Sequence, residues 1–266
     1  MKTLVLAVLL ASFPGAAEPE AHERARLGQW AEEIRRADYR GDREELRRLS
    51  VTCAEPSDPA LARYHGYWRG FARWRRAING FSETPLPEDL GADLESAVAD
   101  FKSALARDPG WIEAKIGLVG SSGNLLWLAR DDPERRNRIL EEYRPMAREL
   151  QEVGAANPRA LWLIGGMQLS APPPWGGDFV KAAATLRRGL EAARSEALSE
   201  EPEALAPRWG AAELLMNLAY LHSHGAAPER ALALAYAEGA LAMVPDWHYV
   251  KDVLLPQVEA LPRPGS

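Results

Sequence analysis

The chain has 266 residues, 47% of them hydrophobic and 26% charged, with a formal net charge of −6. This composition suits a globular protein and excludes wholesale disorder, and the length suits one elongated domain or two small ones. With its arginines dispersed among acids, the chain lacks the continuous positive footprint that phosphate backbones require, so no nucleic-acid partner is expected.

The N-terminus carries Lys2, an apolar run from Leu4 to Phe13, and small residues ending at Ala16 and Ala17. This is the anatomy of a secretory signal peptide cleaved after Ala17, with Pro14 and Gly15 breaking the helix ahead of the site. The run is short of the ~20 residues that span a bilayer, so no stable membrane insertion is expected after cleavage. The expected organisation is a leader over 1–17 and a single domain over 18–266, exported and, in a Gram-negative cell, periplasmic. A tether through an uncleaved N-terminal segment is the alternative.

Beyond the leader, apolar residues recur at helical spacing nearly everywhere, and no stretch alternates as a strand would. The spacing predicts about ten helices, over 19–39, 42–53, 58–79, 90–107, 110–129, 133–156, 158–170, 178–195, 207–224, 228–243 and 246–260. Their starts share a device: Asp58-Pro59, Asp108-Pro109, Asp132-Pro133 and Asn157-Pro158 each offer a capping side chain followed by a proline. The cap accepts from the first backbone N–H groups, and proline, which lacks one, fits the first helical position. The most basic stretch, Arg35 to Arg48, is interrupted by Asp38, Asp42, Glu44 and Glu45 and reads as an ion-paired solvated face. Cys53 is the only cysteine. It can form no intramolecular disulfide, and its place after Leu46, Leu49 and Val51 reads as an inert, buried thiol.

Short connections between such helices favour stacked antiparallel hairpins. The pattern Ala97, Ala104-Leu105, Pro109-x-Trp111 returns as Ala233, Ala240-Leu241, Pro245-x-Trp247, an offset of 136 residues, or four times 34. A third, looser copy starts at Lys181. Ala-x6-Ala-Leu-x3-Pro followed by a helix resembles the second helix of a tetratricopeptide repeat meeting the first helix of the next. With the stretches around Tyr64–Trp74, Asn157–Gly166 and Pro172–Leu190, the chain is similar to a group of exported bacterial repeat proteins. The resemblance implies an all-α, tetratricopeptide-like α-solenoid that binds a protein or ligand, and it implies no catalytic residues.

Candidate contacts follow from this expectation. The helix "YHGYWRGFARW" carries Tyr64, Tyr67, Trp68, Phe71 and Trp74, with Arg69, Arg73, Arg75 and Arg76 beside them, and reads as core packing or as a groove for an acidic partner. Asn217 and Gln168 lie within apolar helices, where a buried amide needs a partner from the backbone or from a ligand. In "SAPPPWGGDF" (Ser170 to Phe179), prolines, glycines and Asp178 suffice as hairpin punctuation, which leaves the indole of Trp175 over. His222 and His224 project about 200° apart on a helix and cannot share an ion, and His248 adds no known ligand spacing. No phosphate loop, metal-protease motif or nucleophile elbow occurs. The expected function is a non-catalytic binding or scaffold module without metal or cofactor. It recognises a protein partner through Trp68, Arg69, Arg75, Trp175 and Asn217. A small-molecule-binding accessory of a transport system is the alternative, and a small hydrolase a more distant one.

Overall fold

The computed structural model describes residues 17–198, 205–225 and 227–262. The expected leader falls on residues 1–16 and the junction at 17, and so lies almost wholly outside the described residues. The helices are α1 (Ala17–Tyr39), α2 (Arg43–Thr52), α3 (Pro59–Gly80), α4 (Leu90–Arg107), α5 (Ile112–Leu128), α6 (Pro133–Val153), α7 (Pro158–Ser170), α8 (Phe179–Leu198), α9 (Ala211–His224), α10 (Arg230–Met243) and α11 (Leu255–Glu259). A π-helical stretch, Tyr249–Leu254, runs into α11. The protein is all-α, with no strand among the described residues, and none of the described helices is long and apolar enough to cross a membrane.

Local chemistry sets most helix starts. Asp58 accepts from Ala60 N, Asp132 from Arg135 N, and Asn157 from both Arg159 N and Ala160 N, with a proline at the first helical position each time. Several starts differ from the sequence reading: α10 begins at Arg230 and the C-terminal segment turns π-helical at Tyr249, each a few residues late. Helix α5 begins at Ile112, after Trp111, because Pro109-Gly110 forms a turn rather than a first helical turn. Helix α9 begins at Ala211 instead of near Pro207. Leu205 and Ala206 form a turn and a bend, residues 207–209 carry no regular structure, and Gly210 takes φ +126°, a conformation that suits glycine alone.

Consecutive helices pack on each other, and α1 also packs on α3, α3 on α5, α5 on α7, and α7 on α9. Helices α1, α3, α5, α7 and α9 therefore form one layer, the odd-numbered layer, flanked by their even-numbered partners. Small residues let the layers approach. Gly117 lies against the ring of Phe101 and Gly120 against that of Trp74, while Ala97, Ala104, Ala233 and Ala240 are fully buried. The repeated alanines thus occupy matching positions on α4 and α10. From α4 to α10 the chain advances by six helices, three pairs rather than four, so the 136-residue offset gives about 45 residues per pair instead of the tetratricopeptide 34.

A continuous core runs from α1 to α9, and a second cluster joins α9, α10 and the C-terminal segment to Tyr39 of α1. The end of α1 meets the C-terminal helices there: the Tyr39 ring packs edge-on against Trp247 at 5.2 Å, and its hydroxyl donates to Glu213 at 2.7 Å.

Candidate functional site

The aromatic helix, which in sequence reads as core packing or as a groove, is covered by the chain itself. Trp68 is 2% exposed, and its indole donates to the Leu205 carbonyl at 3.0 Å. Trp209, 3% exposed, packs against Phe71, Trp74 and Trp162, and donates to the Tyr67 hydroxyl at 3.0 Å. Leu205 and Trp209, just ahead of α9, therefore lie against α3 and α7 and take up the faces of Trp68 and its neighbours.

Arg75 is equally enclosed. It is 4% exposed and bonds Asp38 at 2.8 Å, and Asp38 also accepts from Asn79. Burial raises Asp38 above the usual carboxylate range against the pull of Arg75, and the nearby Glu213 charge adds to the rise. Arg69 turns to its own hairpin partner: Arg69 and Arg73 both bond the buried Asp100 of α4, while Arg76 bonds Asp93. The basic stripe of α3 is thus neutralised by an acidic stripe on α4, where the sequence reading offered it to an acidic partner.

Asn217 is half-buried, and its amide reaches the Trp162 carbonyl at 3.5 Å, a long contact. Two further asparagines of the odd-numbered layer resemble it. Asn79 gives its amide nitrogen to Asp38, and Asn124 accepts from Trp74 at 3.0 Å. In all three the other amide atom has no partner among the described residues. The Trp175 backbone closes a 3-10 turn, Pro173–Trp175, followed by Gly176 at φ +96°. Its side chain lies outside the described part. Asp178 caps α8 by accepting from Val180 N and Lys181 N, as hairpin punctuation requires.

The histidines are kept apart. His222 pairs with Glu229, His224 stacks on Tyr220, and His248 pairs with Asp252. No cluster of three or more potential metal ligands occurs among the described residues. Cys53 is half-buried, contacts Arg26, and has its thiol pKa raised by burial, which disfavours the thiolate.

One polar network escaped the sequence reading. Arg159, 4% exposed at its side chain, bonds Glu113 at 2.7 Å, Glu196 at 2.9 Å and the Trp209 carbonyl at 3.0 Å. Burial works to lower its pKa, but Glu196 and Glu113 outweigh that and raise it. The only signal in sequence was an arginine directly after Asn157-Pro158, ahead of an apolar run.

The surface offers shallow depressions, one of about 230 Å³ beside Trp30 and Cys53 and one of about 580 Å³ beside Pro158 and Ser195. Neither includes Trp68, Arg69, Arg75 or Asn217. In comparisons with family models, with curated proteins and with solved structures, the chain matches none.

Proposed function

We propose that the chain is an exported, non-catalytic binding module, built as a helical-repeat array of the tetratricopeptide kind with longer repeats, which recognises a protein partner through its odd-helix layer. The observation that carries this reading is the series of half-buried amides, Asn79 on α3, Asn124 on α5 and Asn217 on α9, each with one amide atom unengaged among the described residues. Side-chain amides both donate and accept, which matches the alternating donors and acceptors of a polypeptide main chain. A large partner also suits the two depressions described above, which are open rather than enclosed, since small ligands favour enclosed, mostly apolar pockets. In this role Arg69, Arg75 and Trp68 act indirectly, by holding the layer together, and Asn217 acts as a contact.

A photo-crosslinking amino acid at position 217, compared with one at the exposed Arg187 on α8, tests the proposal in the native host. The expected result is a discrete crosslinked polypeptide from position 217 and none from position 187. A small molecule bound stoichiometrically to the purified protein in native mass spectrometry, and lost in Asn217→Ala, would replace this reading with the solute-binding one.

A further inference from the structure

Among the described residues the fold encloses two arginines, Arg75 and Arg159, and only one of them is saturated. Arg159 engages every guanidinium nitrogen, on Glu113, Glu196 and the Trp209 carbonyl. Arg75 engages Nε alone, on Asp38 at 2.8 Å, and its Nη1 and Nη2 have no partner among the described residues. A second donor is left over beside it. Trp162 is 8% exposed, its Nε1 is buried without a partner, and its ring centroid lies 5.9 Å from the Arg75 guanidinium carbon. Enclosed donors are almost always bonded, so two neighbouring ones left open require an acceptor.

An open acceptor and some room stand at the same place. Asn217 reaches the Trp162 carbonyl through Nδ2, which leaves its Oδ1 without a partner among the described residues. Gly166, one turn after Trp162 on α7, is half-buried. Outside its own helix backbone, a Cβ there would find only Asn217 Nδ2 within 4 Å, at 3.4 Å. The missing side chain leaves space beside both Trp162 and Asn217.

Charge narrows what that space can take. Asp38 and Glu213 are both buried and both act on the Arg75 charge. Their oxygens are already engaged, those of Asp38 by Arg75 and Asn79, those of Glu213 by the Tyr39 hydroxyl and the Gly210 N–H. Two buried carboxylates around one buried guanidinium oppose a further anion. A neutral group that both accepts and donates matches the open donors and the open Oδ1, and a primary carboxamide is such a group.

We propose that Arg75, Trp162, Gly166 and Asn217 form the site into which a partner polypeptide inserts one uncharged carboxamide, a glutamine side chain. Its carbonyl accepts from Arg75 Nη and Trp162 Nε1, and its amide nitrogen donates to Asn217 Oδ1. Arg75 then does more than hold the layer together. The inference rests on the partner being a protein, as above, and supplies the side chain that the partner presents.

The test titrates the full chain at pH 7 with capped peptides, acetyl-Ala-Xaa-Ala-amide, whose central residue is glutamine, glutamate or methionine; glutamate is ionised at that pH. The Trp162 indole N–H is followed by NMR and assigned by its loss in Trp162→Phe. The glutamine peptide should shift this resonance saturably and bind at least tenfold more tightly than the other two. Gly166→Leu fills the space and Asn217→Leu removes the acceptor, so each should weaken glutamine-peptide binding at least tenfold in a chain that still melts cooperatively. A resonance unmoved by the glutamine peptide overturns the proposal, and so do equal affinities for the glutamine and methionine peptides. Unchanged binding in Gly166→Leu also overturns it, and this variant decides should Asn217→Leu not fold. A crosslinked partner at position 217 without glutamine-peptide binding defeats only the carboxamide site. Glutamine-peptide binding without any crosslinked polypeptide defeats only the function proposed above.

Discussion

Replacing Gly117 by alanine tests how closely α4 and α5 approach. In a solvent-facing helix interior this change stabilises by roughly 0.5–1 kcal/mol, the conformational cost of glycine relative to alanine. At Gly117 the new methyl would lie 2.2 to 2.6 Å from three ring carbons of Phe101. Favourable carbon contacts need about 3.5–4.0 Å. The ring is fully buried and has little room to retreat, with Tyr67 at 5.7 Å and Trp74 at 6.2 Å between centroids. Overpacking of this kind costs about 1–3 kcal/mol, which exceeds the propensity gain, so the net expectation is a loss of about 1–2 kcal/mol. Gly120→Ala should behave alike, since its methyl would meet Trp74 at 2.2 Å and that indole is anchored to Asn124. Gly239→Ala on α10 is the opposite case: its nearest neighbour, Leu215, would be 3.6 Å away, and the propensity gain of roughly 0.5–1 kcal/mol should survive. Urea denaturation followed by circular dichroism measures all three. If Gly117→Ala is as stable as wild type or more so, the Phe101 ring does not rest on the α5 backbone and the reasoning fails.

Arg159→Ala leaves the buried Glu113 without its cation and should cost about 3–5 kcal/mol by the same measurement. The double change Glu113→Gln, Arg159→Met should recover part of that loss, and a single variant within 1 kcal/mol of wild type would mean the pair is not buried. Backbone N–H groups of Lys181 and Val180 lower the pKa of Asp178, so its stabilising contribution is present above the ordinary carboxylate pKa and disappears as pH falls through the lowered folded value. The stability gap between wild type and Asp178→Ala should accordingly be full at pH 7 and close below about pH 4, and a gap independent of pH over that range would disprove a charged cap. For export, the mature chain recovered from the periplasm should begin at Glu18 by N-terminal sequencing. A membrane-bound chain still carrying Met1 would support the tether instead.

Helix α7 shows what was legible in the chain. Its start at Pro158, its Asn157 cap and its end before the prolines all depend on neighbours within a few residues. Local backbone geometry and proline chemistry therefore suffice to read them. The paired alanines of α4 and α10 were readable for the same reason: a spacing of seven keeps both on one helical face, and both faces are buried. The period is not readable in the same way, because an offset alone does not say how many hairpins fill it, and three fill this one.

The site was far less legible. An arginine in an aromatic helix looks the same in sequence whether it faces a partner or, as Arg75 does, a buried aspartate on α1. Trp209 bonds a tyrosine 142 residues away and Trp68 bonds a carbonyl 137 residues away. No window of neighbouring residues contains both members of such a pair. The sequence by itself determined an all-helical chain with capped, proline-led helices and small residues at their seams, since those depend on short-range sterics and hydrogen bonding. Only the tertiary structure decided that α1 meets the C-terminal helices, that α9 starts late, and that Leu205 and Trp209 cover the aromatic face. Those outcomes depend on which distant side chains bury one another, and burial is a property of the assembled layers rather than of any segment.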